Sequence, residues 1–293
     1  MTAALERPLI RAMPAVFVLI WSTGFIVARY GMPHAPPFKF LVLRYVFSIA
    51  CFLLWITLAR VKWPVRRSQW AHLAVTGVFM HAFYLGGVWA AVKLGMGSGL
   101  SSLIVGLQPV LTALWLAATG NRIVPRQWLG LVLGLIGLVL VVSRKFGTGG
   151  EANLLNLSLA IGALLSITIG TLYQKRFVTS CDVRTANTVQ LMAALLVTLP
   201  LAAFEQEGID WHVELIGAIA WSVLVLTLGG SSLLYLLIQK GAAAAVTSLM
   251  YLVPPVTAFI AWLLFAELIT LTTILGTLLT AAGVALVVWR PRA

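Results

Sequence analysis

The sequence predicts an all-α membrane protein of ten transmembrane helices, built as two five-helix repeats of inverted topology. Three observations carry this. First, 61% of the 293 residues are apolar and only 10% are charged, with mean hydropathy +1.01. A soluble domain carries about 25% charged residues, so these charges could not cover a water-exposed surface. The same composition excludes a disordered chain. Second, apolar runs of membrane-spanning length follow one another with short polar gaps. Spans of about 20 residues each would use up the chain in ten passes. Third, the second half of the sequence repeats the first.

The runs are continuous rather than alternating, which indicates helices and not barrel strands. The first, 12–30, follows Arg7 and Arg11 and lacks a small-residue cleavage pattern, so it reads as a retained helix. The second, 39–59, contains Arg44, and the third, 71–92, lies between Arg67 and Lys93. The fourth, 96–118, carries a serine-rich stripe and Pro109. The fifth, 127–143, stops at Arg144 and Lys145. The sixth, 154–174, stops at Lys175 and Arg176, and the seventh, 185–204, follows Arg184. The eighth, 214–238, precedes Lys240. The ninth, 242–265, contains Pro254 and Pro255, and the tenth, 271–289, stops at Arg290.

The net charge of +12 could suggest nucleic acid. In a membrane chain it marks loops held on the cytoplasmic side. With the N-terminus inside, alternate loops and both ends hold 14 Lys and Arg, and the opposite side holds five. The loop at 205–214 carries Glu205, Glu207, Asp210 and Glu214 with no Lys or Arg. Both termini are therefore expected in the cytoplasm, and nucleic acid is not expected as a partner.

Sliding the chain against itself by 146 residues aligns Gly95–Arg144 with Gly241–Arg290, with 14 of 50 positions identical and no gap. The matches include Ser102 with Ser248, Pro109 with Pro255, Gly130 with Gly276, and Gly137 with Gly283. The run Leu140-Val141-Val142 matches Leu286-Val287-Val288. The predicted repeats are 8–146 and 154–291. Each holds five helices. Five is odd, so the second copy enters from the opposite side. The loop charges agree, because the cationic segment 60–67 aligns with the acidic 206–213. Inverted repeats recur in secondary transporters, with the substrate near the midplane between halves.

These residues resemble the drug/metabolite transporter superfamily, in its ten-helix branch with two EamA domains. The resemblance rests on Trp21-Ser22-Thr23-Gly24, on Arg44, on Ala91-Val92-Lys93-Leu94-Gly95 and on Gln108-Pro109-Val110. In the second copy it rests on Gln239-Lys240-Gly241, Thr247-Ser248-Leu249, Pro254-Pro255-Val256 and Glu267-Leu268-Ile269-Thr270. Each copy ends in Gly-x6-Gly-x2-Leu-Val-Val. The resemblance implies export of amino acids or related metabolites across the bacterial inner membrane. The aromatic content is similar to that of the aromatic amino-acid exporters in this family.

Arg44 is the one formal charge well inside a predicted span. A cation there costs about 2.5–3.5 kcal/mol on insertion scales. It could face a cavity and pair with a substrate carboxylate, snorkel to the helix start, or tether two helices. The repeat places Gln190 opposite it. His81 and Tyr84 share a face of the third helix. Ser101 and Gln108 lie on the polar stripe of the fourth, and Tyr251 on its partner, the ninth. With Trp21 and Tyr173, these residues are the candidate substrate-binding set. Hydroxyls and amides at such spacing equally suit interhelical hydrogen bonds, and a subset of the aromatics could stack on an aromatic solute. Pro109, Pro254 and Pro255 are candidate hinges or fixed kinks.

There is no phosphate-binding Gly-x4-Gly-Lys-[Ser/Thr] and no His-Glu-x-x-His, so ATP drive and a membrane enzyme are not expected. Two separated cysteines and four histidines form no metal-ligand spacing, and no cofactor is expected. The small multidrug exporters of the superfamily rely on a first-helix carboxylate, which this chain lacks. The expected function is a secondary transporter working by alternating access, with a small-molecule substrate and lipid as partners. Drug or nucleotide-sugar export, and less so a membrane enzyme on lipid-linked substrates, are the alternatives. An oligomeric state is not fixed by the sequence, and a monomer fits it.

Overall fold

A computed structural model describes residues 3–120, 124–145, 151–230, 233 and 252–288, with side chains from Val16 onward apart from Leu116, Arg144 and Val288. Among these residues there are helices and no β-strand. In chain order they are α1 (Ala3–Gly31), α2 (Pro37–Leu58), α3 (Arg67–Lys93), α4 (Ser98–Val105), α5 (Gln108–Ala118) and α6 (Pro125–Lys145). Then come α7 (Leu154–Phe177), α8 (Val183–Phe204), α9 (Val213–Gly230), α10 (Val253–Phe265) and α11 (Leu271–Val288). Seven helical stretches among the described residues are long and apolar enough to cross a membrane. Three shorter apolar helices, Val16–Gly31, Val253–Phe265 and Leu271–Val287, fall on the other three predicted runs. The chain is a multi-pass membrane protein.

The helices fall into two units, and each unit draws on both halves of the sequence. The described residues of Val27–Gly97 and Gly147–Leu228 form one; those of Met1–Ile26, Ser98–Phe146 and Gly229–Ala293 form the other. In the first unit α2 runs along α8, and α3 packs on α7 and α8. In the second, α6 runs along α11 and α4 lies against α10.

Lipid tails are as apolar as leucine, so close approach and hydrogen bonding hold such helices together. The α6–α11 crossing is made by backbone. A Cβ placed on Gly130 would stand 2.5 Å from the Gly283 carbonyl oxygen, and one on Gly137 would collide with the Gly276 carbonyl. Thr280 donates its hydroxyl to Gly276 O (2.9 Å) and to Gly134 O (3.4 Å). Under the 146-residue offset the contact 130–283 becomes 276–137, and Gly134 becomes Thr280. The crossing therefore maps onto itself.

Helix starts leave N–H groups that need acceptors, and acidic side chains from distant segments supply them. Glu205 accepts from the Phe38 and Lys39 N–H groups at the start of α2 (3.0 and 2.9 Å). Glu267 accepts from Ser98 and Gly99 N–H at the start of α4 (2.9 and 3.3 Å). Asn153 and Asn156 form a reciprocal cap on α7, and Asp182 caps α8 while pairing with Arg184. Gly95, in the turn after α3, has φ +94°, a conformation that favours glycine.

Loop 205–212 is stitched to the ends of α1, α2 and α3. Lys93 Nζ reaches Glu207 (2.6 Å) and Met32 O (3.0 Å), and Lys39 Nζ reaches Glu207 O. His34 sits between Asp210 (Nδ1, 3.1 Å) and Glu214 (Nε2, 3.0 Å), with the His212 ring stacked 4.6 Å away. Hydrogen bonds to Glu214 and then Asp210 raise the His34 pKa above its usual 6.5. Both ring nitrogens donate when the ring is protonated.

Two outcomes follow. Gly283→Leu is expected to cost about 1–3 kcal/mol by overpacking, while Gly162→Ala, inside α7 where a Cβ meets nothing within 4 Å, should cost nothing and gain up to about 1 kcal/mol. Unfolding in detergent micelles measures both, and a neutral Gly283→Leu removes the backbone contact. Because the folded pKa of His34 is raised, its stabilisation is present at low pH and lost as pH climbs through that value, above about 6.5. The Asp210 amide, bonded to His34 O, should exchange faster at pH 8.5 than at pH 6 after correction for intrinsic rates. His34→Gln should flatten the difference.

Candidate functional site

The site is built from α2, α3, α8 and α9, all in one unit. Two of these helices carry π-helical segments, Val78–Phe83 in α3 and Ser222–Gly230 in α9. Such segments are uncommon and shift the side chains out of the ordinary helical register. Residues 78–83 become 224–229 under the 146-residue offset, so both copies widen the helix at the same place. The Thr227 hydroxyl donates to Ser222 O five residues back (2.8 Å).

Arg44 is 7% exposed. Its Nε and Nη2 donate to Thr227 Oγ1 at 3.3 and 3.2 Å. Its guanidinium carbon lies 5.6 Å from the centroid of the Trp89 ring, within cation–π range. On the other side of the site, His81 Nε2 stands 3.3 Å from Gln190 Oε1. The Tyr45 hydroxyl donates to His81 O at 2.8 Å. Tyr84 is buried within the field of Arg44. Arg44 thus ties helices together from inside the unit and does not snorkel to its edge.

The two pairs are related. Offset by 146, Arg44 becomes Gln190 and His81 becomes Thr227. The bond from Arg44 to Thr227 maps onto the bond between Gln190 and His81. The second copy thus holds a neutral amide where the first holds a fixed cation.

Polar demand around Arg44 is not fully met. Arg44 Nη1, Ser48 Oγ, Trp89 Nε1 and Ser222 Oγ are buried and lack a hydrogen-bond partner. Among the described residues no carboxylate lies within ion-pair distance of Arg44. Native interiors satisfy the large majority of such groups, and a lone buried charge is among the costliest.

Of the nine substrate-binding candidates, the structure brings together Arg44, His81, Tyr84 and Gln190. Tyr173 lies in the same unit, its hydroxyl 2.8 Å from His72 Nδ1 and its ring against Phe177. Trp21, Ser101 and Gln108 belong to the other unit. Trp21 packs on Phe17 at 5.4 Å, Ser101 is fully buried with an unpartnered hydroxyl, and Gln108 opens α5. Tyr251 lies outside the described residues. The prolines sit at helix starts rather than inside helices. Pro109 is in the first turn of α5, after a break at Gly106 and Leu107, and Pro254 and Pro255 open α10. Their missing N–H groups are harmless there. Sequence reasoning passed over Ser48, Ser222 and Thr227. Applying the repeat offset to His81 would have found Thr227.

Comparison with known proteins places this architecture. The EamA-like transporter family profile matches residues 12–143 and 154–289. The chain belongs to this family, and thereby to the drug/metabolite transporters. It is 25% identical to the uncharacterized transporter YvbV of Bacillus subtilis, over 93% of this chain and 89% of that one. It is 26% identical to a probable amino-acid metabolite efflux pump of Salmonella typhimurium, over 91% and 90%. A solved crystal structure shares the fold with TM-score 0.65 at 17% identity, covering 95% of this chain and 96% of that one.

Thr227→Val should destabilise the protein by about 1–3 kcal/mol, because the buried guanidinium loses its acceptor. Adding Arg44→Met should recover most of that loss, since the charge itself is gone. Thermal unfolding of both variants in micelles measures the coupling. Equal stability of Thr227→Val and the parent removes the tether.

Proposed function

We propose that the protein is a bacterial inner-membrane secondary transporter. It exports amino acids, aromatic ones favoured, and related small metabolites. It works by alternating access between two inverted five-helix repeats, 8–146 and 154–291, with ten transmembrane helices and both termini in the cytoplasm. One observation carries the reading. In a chain of the EamA-like transporter family, the bonded pairs Arg44–Thr227 and His81–Gln190 interchange under the repeat offset, and the one that carries a fixed charge has no carboxylate partner among the described residues. Two-fold pairing of this kind is what an inverted repeat produces about its axis, where such transporters bind substrate. The self-mapping α6–α11 crossing supports the same relation.

Arg44 meets the substrate carboxylate, and Gln190, His81 and Tyr84 supply further polar contacts. Tyr173, in the same unit, adds an aromatic wall to the route. Amino acids come first because the Salmonella typhimurium relative is named for their metabolites. The distribution of Lys and Arg among the loops supports the orientation.

Solute counterflow in proteoliposomes tests this, with labelled phenylalanine outside, unlabelled phenylalanine inside and no ion gradient. Transient accumulation above empty liposomes is expected. Arg44→Gln should raise the apparent KM for phenylalanine and spare its carboxyl-reduced analogue, phenylalaninol. No accumulation by folded protein would remove phenylalanine from the substrates. Equal loss for both solutes would remove Arg44 from the contact.

A further inference from the structure

The transport reading leaves open which member of its substrate range the site is built to hold, and the charge inventory narrows this. The chain has no Asp or Glu between Arg7 and Gly150. Of its eight acids, Glu6 lies in the first turn of α1, and Glu151, Asp182, Glu205, Glu207, Asp210, Glu214 and Glu267 lie in loops or at helix ends. Asp182 pairs with Arg184, Glu207 with Lys93, and Asp210 and Glu214 with His34, while Glu205 and Glu267 accept at the starts of α2 and α4. Around Arg44 the unmet groups are the guanidinium Nη1, the Trp89 indole N–H and the Ser48 and Ser222 hydroxyls. All four can donate hydrogen bonds, and Arg44 and Trp89 can do nothing else.

These groups are grouped in space by what they already touch. Trp89 underlies the guanidinium. Ser48 is one turn from Arg44 on the buried face of α2, where residues four apart are neighbours. Ser222 shares the π-helical turn of Thr227, the acceptor for Arg44. The Trp89 face that could have received a second cation already receives Arg44. Around these groups stand the buried rings of Phe40, Tyr45 and Tyr84.

We infer that this site takes organic monoanions, a carboxylate on an apolar or aromatic body with no free ammonium group, in preference to zwitterionic amino acids. The inference rests on the transport reading and narrows its substrate class. A carboxylate satisfies the spare donors and neutralises the one fixed charge. A zwitterion brings the same carboxylate but adds an ammonium one carbon away, beside Arg44; α2, α3 and α8 contain no acidic residue, and the one in α9, Glu214, sits in its first turn paired with His34. The repeat mate of Arg44, Gln190, is neutral and already engaged with His81, so it supplies no counter-charge.

The test is equilibrium binding to the purified full chain in micelles, by calorimetry. The ligands are 3-phenylpropionate, phenylalanine and phenylalaninol, which share one ring and chain and differ in charge. The expected order is 3-phenylpropionate at least tenfold tighter than phenylalanine, with phenylalaninol weakest. Arg44→Gln should weaken 3-phenylpropionate at least tenfold and erase the order. Ser222→Ala should weaken it several-fold. Phenylalanine binding as tightly as 3-phenylpropionate overturns the inference, as does an Arg44→Gln protein that keeps the order. Absence of 3-phenylpropionate binding overturns it too. Should Arg44→Gln fail to fold, the ligand order in the parent and in Ser222→Ala still decides. Binding requires no translocation, so the two readings separate. Anion binding without any counterflow overturns transport alone, and phenylalanine counterflow that 3-phenylpropionate cannot inhibit overturns the anion preference alone.

Discussion

A guanidinium buried among apolar helices sets the terms for everything near it. Arg44 cannot shed its charge, and an unpaired buried ion is expensive to keep. Its surroundings answer with one hydroxyl, one indole face and a π-helical turn that sets Thr227 against it. Replacing the whole arrangement with leucines would cost the fold little. What the arrangement leaves over is a set of buried donors, the guanidinium Nη1 and the Trp89 indole N–H among them, with no acceptor.

The helices were largely legible in the sequence because lipid leaves the backbone few alternatives. Among the described residues, seven of the apolar runs coincide with helical stretches long enough to cross a membrane and the other three with shorter apolar helices, and the loop acids mark the segment that caps α2. The grouping of helices was not legible. The repeat suggested halves lying side by side in sequence, whereas each spatial unit takes helices from both. Which faces meet is decided by glycine-to-carbonyl contacts, as between Gly130 and Gly283, and hydropathy does not register them.

Part of the site was equally legible. A charge inside an apolar run draws notice, so Arg44 was found, and the offset led from it to Gln190. His81 was found as a lone titratable group. Thr227 was missed because threonine in an apolar helix ordinarily bonds its own backbone, and Ser48 and Ser222 for the same reason. The prolines illustrate the opposite error. Read as interior bends, they stand at helix starts, because α4 stops at Val105 and a new helix begins at Gln108.

The α6–α11 crossing has a mechanical meaning. An interface of side chains can slide by exchanging rotamers, each exchange relieving the next. Where Gly130 meets the Gly283 carbonyl and Gly137 meets that of Gly276, there are no torsions to exchange. Every small displacement loads two polypeptide backbones directly. The pair therefore resists sliding and behaves as a single stiff strut.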